Sequence, residues 1–201
     1  MGQLVLATRN VKKLAELRRI LGPVVDVEVL GLDDLPAYDE APETGATFAE
    51  NALAKARDAA AATGLAAVAD DSGLTVDALN GMPGVLSARW SGRHGDDVAN
   101  LELLLAQISD VPDEQRGAAF VCAAAFVVPG GREQVLEAEM RGWMIREPRG
   151  GGGFGYDPIF VGEGETMTAA EMSPGAKDAI SHRGKAFRAL VPIVRQELSG
   201  T

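Results

Sequence analysis

Apolar positions along this chain follow two rhythms. Short continuous runs, Leu4 to Ala7, Leu65 to Ala69, Leu74 to Ala78 and Ala118 to Val128, read as buried strands. Spacings of three and four mark helices. Leu14, Leu17 and Leu21 fall on one face of a helix over 11–21, with Thr8 and Asn10 as capping residues before it. Val24 to Leu30 predicts a second strand, and the acidic, Pro-containing stretch Gly31 to Thr44 predicts a loop. Thr47 and Glu50 form a capping box in sequence, opening an Ala-rich helix that Gly64 stops after about Thr63. Its Ala52, Ala56 and Ala59 are small enough to permit close packing on a sheet. Asp96 or Asp97 caps a helix whose apolar face is Val98, Leu101, Leu105 and Ile108. Beyond the Pro129-Gly130-Gly131 turn, Leu136, Ala138 and Met140 alternate with Glu137, Glu139 and Arg141, so a half-exposed strand pairs back as a hairpin. Ala169 to Met172 is short and helical or irregular. Ser173-Pro174 starts a helix that includes Lys177, and Phe187, Leu190, Val194 and Leu198 mark a last helix that Pro192 is expected to kink.

Two stretches stand apart from these rhythms. Ala69-Asp70-Asp71-Ser72-Gly73 lies between two apolar runs and reads as a tight polar turn joining two strands. Such a turn would hold two carboxylates near one point, where their repulsion calls for a cation such as Mg²⁺. The plainer reading is a solvated turn in which Asp and Ser satisfy local amides. The second stretch, Gly150 to Pro158, formally contains G-x-G-x-x-G. It runs into the strand-like Ile159-Phe160-Val161 instead of opening a helix, so a dinucleotide-binding reading is rejected. What remains is a flexible glycine loop carrying Phe154 and Tyr156. They are either exposed and able to stack on a planar base, or tucked into the core.

Composition narrows the partners. A net charge of −10 and a pI of about 4.7 argue against polymeric nucleic acid and anionic membranes. No apolar stretch approaches the ~18 residues of a membrane span, and the start lacks a basic region followed by a long apolar one, so a cytoplasmic setting is expected. The single Cys122 sits in an apolar run and reads as an inert thiol. His94 and His182 have no Cys neighbours, which argues against structural zinc. Within this acidic chain Ser181-His182-Arg183-Gly184-Lys185 is a local basic cluster. Lys13 occupies the first turn of a helix, where a cation is disfavoured unless an anion meets it; otherwise it faces solvent. Asn51 and Lys55, four apart, share a helix face that either lines a site or is simply wet.

Sorted by chemistry, the acids are Glu43, Glu50, Asp70 and Asp71, and the cations are Lys13, Lys55, Lys177, His182 and Arg183, with Phe154 and Tyr156 as stacking groups. This set fits a nucleotide polyphosphate. Walker A and kinase signatures are both missing from the sequence, so hydrolysis at a metal-polarised phosphorus fits better than transfer by a P-loop.

Several separated motifs, taken in order, carry a resemblance. They are Thr8-x-Asn10-x-x-Lys13; Glu43-Thr44-Gly45 with Phe48-x-Glu50-Asn51-Ala52 and Lys55; Asp70-Asp71-Ser72-Gly73-Leu74; Pro83-Gly84-Val85 with Ser87-Ala88-Arg89; Gly153-Phe154-Gly155-Tyr156-Asp157-Pro158; and Lys177 with Ser181-His182-Arg183-Gly184. Over nearly its whole length the chain resembles the Ham1-like inosine/xanthosine triphosphate pyrophosphatases. The resemblance implies one α/β domain over residues 1–201, with a mixed, elongated central sheet flanked by helices and two lobes around an active-site cleft. It implies Mg²⁺, a homodimer, and cleavage of a nucleoside triphosphate to the monophosphate and pyrophosphate. By motif, Asp71 is the acid/base or metal-bound carboxylate, with Glu43 and Asp70 as further metal-ligand candidates. Thr8, Asn10, Lys13, Ser72 and Lys177 would hold phosphate or sugar, and Lys55 joins the substrate-binding set. Phe154, Gly155, Tyr156, Asp157, His182 and Arg183 would contact the base. Arg9 departs from the family pattern, which is often small there, and would touch phosphate or face solvent. As donors, His182 and Arg183 suit a 6-oxo purine. Two other readings stay open: a sister enzyme for pyrimidine or modified nucleotides, and a nucleotide-binding regulatory module without catalysis.

Overall fold

The computed structural model describes residues 2–23, 27–38 and 42–198. In chain order the elements are β1 (Gln3–Leu6), α1 (Val11–Leu21), β2 (Glu28–Gly31), α2 (Phe48–Thr63), β3 (Ala66–Val76), α3 (Asp97–Gln107), β4 (Gly117–Val127), β5 (Glu133–Met144), β6 (Phe160–Gly162), α4 (Pro174–Ile180) and α5 (His182–Leu198). The strands form one sheet in the order β2-β1-β3-β4-β5-β6. β1 runs parallel to both β2 and β3, whereas β5 and β6 are antiparallel, so the sheet is mixed. The chain divides into two compact units, residues 1–71, 122–138 and 183–201 in one, 72–121 and 139–182 in the other. The long strands β3, β4 and β5 pass through both.

In the first unit the strands are apolar on both faces, and side-chain alternation sorts them. Leu4, Leu6, Val68, Cys122, Ala124 and Phe126 pack with Leu17, Ile20 and Leu21 of α1 and Phe187, Leu190 and Val194 of α5. Their neighbours Val5, Ala67, Ala69, Ala123 and Ala125 pack with Ala52, Ala56, Ala59 and Ala60 of α2. This is the continuous apolar patterning of a sheet covered on both sides. The layer under α2 is built almost wholly of alanine, which lets helix and sheet approach closely. The ends of α2 are set as expected. Thr47 Oγ1 accepts from Glu50 N at 3.2 Å, Glu50 Oε2 accepts from Thr47 N at 3.3 Å, and Gly64 closes the helix in the left-handed region at φ 69°.

In the second unit Leu101, Leu104 and Ile108 of the α3 segment pack on Leu74, Val76, Ala118, Phe120, Met140, Met144, Tyr156 and Phe160. Asp96 is the residue that caps α3, its Oδ1 accepting from Ala99 N at 3.2 Å. Arg116 is buried here, only 1 % exposed. Its guanidinium donates to the carbonyls of Met144 at 2.9 Å, Ile108 at 2.6 Å and Ile145 at 3.3 Å, satisfying backbone at the ends of α3 and β5.

Several expectations change. The predicted strand–turn–strand over 65–78 is one unbroken strand, β3. The acidic pair needs no turn because cations from three helices meet it in place, as described below. The loop over 31–44 contains a 3₁₀ turn at Leu32–Asp34, where the Asp34 carboxylate accepts from Gly31 N at 2.8 Å. The second strand is Glu28–Gly31; residues 24–26, like Asp39 and Glu40 of the loop, lie outside the described residues. Of the two readings for residues 169–172 the irregular one holds, as a turn, and α5 carries Pro192 inside it.

Candidate active site

Consecutive residues of a strand point to opposite faces, and on β3 this separates the two carboxylates. Asp70 faces α1 and α5. Its Oδ2 accepts from Lys13 Nζ at 2.9 Å and from Arg183 Nε at 3.2 Å. Arg183 Nη1 also donates to Glu16, a second buried carboxylate, on α1. The result is a chain of alternating charge, Lys13–Asp70–Arg183–Glu16. Burial by itself would raise Asp70, but Lys13, Arg183 and Lys55 outweigh it and hold the carboxyl far below the usual carboxylate range. Burial would likewise lower Arg183, but Asp70 and Glu16 keep it firmly protonated.

Asp71 faces α2. Asn51 Nδ2 donates to its Oδ2 at 3.0 Å, and Lys55 Nζ lies 3.3 Å from its Oδ1. Asn51 is itself oriented, because its Oδ1 accepts from Gly45 N at 2.8 Å. Lys55 Nζ also donates to Glu43 Oε1 at 3.0 Å, so one cation is shared by two carboxylates. Burial raises Asp71 above the ordinary Asp value, against the opposing pull of Lys55 and Lys13. For Lys55 burial pulls downward, and Asp71, Asp70 and Glu43 together raise it. The pair is a carboxylate kept basic beside a fixed cation. A carboxylate of that kind can accept a proton from water.

The second unit gathers another group. Lys177 Nζ donates to Asp157 Oδ2 at 2.5 Å, with both residues buried, and Phe154 N donates to the same oxygen at 2.8 Å. Lys177 Nζ lies 5.2 Å from the centroid of the Phe154 ring, a cation–π contact. Gly155 N donates to Asp97 Oδ2 at 3.0 Å. Glycine is required at 153, where φ is +69° and a Cβ would stand 2.0 Å from Asp157 Oδ2. His182 is buried and stacks on Phe120 with ring centroids 5.0 Å apart.

The sequence-predicted residues each have a definite place. Asp70, a metal-ligand candidate, is only 1 % exposed and is held by Lys13 and Arg183. Lys13 meets an anion, as its place in the first turn demands, but that anion is the Asp70 carboxylate. Arg183, expected to read the base, commits Nε and Nη1 to Asp70 and Glu16. Tyr156, one of the two expected stacking rings, is in the core at 4 % exposure, and its hydroxyl donates to the Ser87 carbonyl at 2.9 Å. Phe154 is half-buried. Thr8 and Asn10 form the entry to α1: Thr8 Oγ1 accepts from Asn10 N at 3.2 Å, and Asn10 Oδ1 accepts from the amides of Lys12 and Lys13 at 3.0 and 3.2 Å. Arg9 is exposed, and Ser72 follows Asp71 on β3, half-buried. Glu16 and Asp97 were not singled out as site residues from sequence. One reads as an ordinary polar position of α1, the other as a helix cap.

Among the described residues, no three of His, Cys, Asp and Glu converge as a ready-made metal cluster. Glu43 and Asp71 do converge on the Lys55 ammonium, so their hard oxygens already share one cation.

The fold and these clusters define a class: a mixed α/β protein that sets a basic carboxylate on a central strand and brings fixed cations to that strand from the flanking helices. The sequence profile of the Ham1 family matches residues 4–193, and the chain belongs to that family. A dITP/XTP pyrophosphatase of Nocardia farcinica is 68 % identical over 194 residues, covering 96 % of this chain and 94 % of the relative. A dITP/XTP pyrophosphatase of Streptomyces coelicolor is 60 % identical over 199 residues, covering 98 % of this chain and all of the relative. Among solved structures, the Coxiella burnetii HAM1 protein is 40 % identical with a TM-score of 0.86, covering 98 % of this chain and 100 % of that one. The nucleoside-triphosphatase / dITP/XTP pyrophosphatase of Mycobacterium abscessus is 62 % identical with a TM-score of 0.77, covering 94 % and 99 %.

Proposed function

We propose that this chain is a pyrophosphatase that hydrolyses dITP and XTP to the monophosphate and pyrophosphate, keeping non-standard purines out of nucleic acid. The observation that carries this reading is the group formed by Asp71 on β3, Lys55 on α2 and Glu43 in the segment before α2. It places a carboxylate raised by burial beside a fixed cation, in a chain whose relatives at 60–68 % identity bear that activity in their names.

In this reading Asp71 takes the proton of the attacking water, and its raised affinity for protons suits that step. Asn51, locked by Gly45, holds the Asp71 carboxylate in one orientation. Lys55 opposes the negative charge that grows on the leaving pyrophosphate, a fixed charge that needs no reorganisation. Thr8, Asn10 and Lys13 at the start of α1, with Ser72 and Lys177, take phosphate and sugar. Phe154, Gly155 and Asp157 take the base together with His182. Arg183 acts by fixing Asp70 and the start of α5.

The reaction is dependent on Mg²⁺. Glu43 and Asp71 would hold the ion, since both offer hard oxygens and already share a cation. When bound it would supply Lewis-acid polarisation of phosphate oxygens. The family resemblance also supports a cytoplasmic homodimer. No helix among the described residues is long and apolar enough to cross a membrane.

The test is pyrophosphate release from dITP, XTP, dGTP, dATP and dUTP, each with Mg²⁺ and with chelator. Metal-dependent release strongest with dITP and XTP is expected. Orthophosphate as the product would overturn the reaction, and equal release from dATP would overturn the base preference.

A further inference from the structure

The segment Gly153-Phe154-Gly155 has no regular secondary structure of its own, yet its backbone is anchored at two successive amides. Phe154 N donates to Asp157, three residues on in the same segment. Gly155 N donates to Asp97, 58 residues away at the start of α3. Gly155 has φ +60°, a left-handed conformation that few other residues adopt cheaply. The first turns of α3 are themselves fixed to the neighbouring chain. Asn100, one turn beyond Asp97, donates to the Ala88 carbonyl at 3.2 Å and accepts from Ser91 N at 2.7 Å. Ser87 in the same stretch accepts the Tyr156 hydroxyl. Residues 155 and 156 are therefore tied, one directly and one through Ser87, to a single rigid support.

We infer that Asp97 is a positioning residue for substrate binding: by accepting the Gly155 amide it fixes the Phe154 ring in the pose that meets the base. The inference rests on the proposal that Phe154 contacts the base. The carboxylate does not touch substrate in this account. It acts through the Gly155 backbone, and a carboxylate suits this because charged acceptors make the stronger hydrogen bonds.

Four variants test it: Asp97→Ala, Asp97→Asn, Asp96→Ala and Phe154→Ala. Asp96→Ala removes the cap of the same helix without touching Gly155, so it reports what a weakened α3 does by itself. Asp97→Ala is expected to raise KM for dITP about tenfold with kcat within about twofold, the worth of one lost hydrogen bond to a charged group. Asp97→Asn, whose amide oxygen still accepts, is expected to recover most of that loss, and Asp96→Ala to lower thermal stability with KM unchanged. Hydrogen exchange of the Gly155 amide is expected to quicken in Asp97→Ala alone. An unchanged KM in Asp97→Ala beside a raised KM in Phe154→Ala overturns the inference, as does an equal rise in Asp96→Ala. An unchanged KM in Phe154→Ala overturns the reading of Phe154 as the base contact. Exchange at Gly155 then decides the anchoring by itself: unchanged exchange in Asp97→Ala overturns that too.

Discussion

Asp70 and Asp71 are adjacent on β3 and face opposite sides of the sheet, and their proton affinities move in opposite directions. Asp70 looks toward α1 and α5, where Lys13 and Arg183 stabilise its charge. Asp71 looks toward α2, where burial disfavours its charge and outweighs the opposing pull of Lys55, Lys13 and Asn51. One residue is thereby committed to holding the first unit together. Its neighbour is held with a raised affinity for protons.

Acid unfolding should separate the two. Asp70 has a folded-state pKa below its unfolded value, so it contributes stability above about pH 4 that is lost as pH falls further. Asp71 has the opposite sign. Its folded-state pKa is raised, so the stability it adds is full below about pH 4 and is lost as pH rises through the folded value. Urea midpoints measured in chelator between pH 2.5 and 7 are expected to fall less steeply on acidification for Asp70→Asn than for the parent. The slope for Asp71→Asn should steepen.

Asp70→Asn should also be costly at neutral pH. It strips the counter-charge from Lys13 and from the buried Arg183, and breaking a buried pair in this way costs about 3–5 kcal/mol. Glu16→Gln removes the other partner of Arg183 and should cost the same order. Equilibrium denaturation at pH 7 measures both, and a change below about 1 kcal/mol in either would contradict the network.

Arg116 offers a test confined to the second unit. It donates three hydrogen bonds to carbonyls near the end of α3 and the end of β5, and the lysine head group lacks the planar fork that reaches all three. Arg116→Lys should lose about 2–3 kcal/mol, because buried carbonyls are left without donors. Thermal unfolding checks this, and kcat of the surviving folded enzyme should be unaffected.

The alanine layer under α2 predicts a different failure. Ala56 is fully buried among Ala52, Ala59, Ala67, Ala69 and Ala123. Ala56→Leu inserts three carbons where helix and sheet have no spare room, and should cost about 1–3 kcal/mol or more. Because Lys55 and Asn51 ride on the same helix, turnover should fall with it, which activity assays at a temperature well below unfolding would show.

Local signals carried much of this fold. The Leu14, Leu17 and Leu21 spacing marks α1, the Thr47/Glu50 box and Gly64 mark both ends of α2, and alternation about Met140 marks β5. Errors came where distant partners override local preference. Asp-Asp-Ser-Gly has turn composition, yet it lies inside β3 because Lys13, Lys55 and Arg183 neutralise it from residues far along the chain. Tyr156 sits in a glycine loop, where the sequence leaves it either exposed or tucked into the core, and the choice is made by Ser87, 69 residues earlier, whose carbonyl accepts its hydroxyl. Glu16 reads as a surface residue of an amphipathic helix, and the partner that buries it is 167 residues away. The residue types that meet around β3, two carboxylates with Lys13, Lys55 and Arg183, were legible in the sequence as candidates. The division of labour between Asp70 and Asp71 was not, because it depends on strand register.

The most direct test compares turnover of dITP with the unfolding midpoint in Asp71→Asn. The account predicts a loss of about two to four orders of magnitude in kcat, with a midpoint equal to or above the parent's. Turnover within about tenfold of the parent would remove Asp71 from proton transfer and contradict the account.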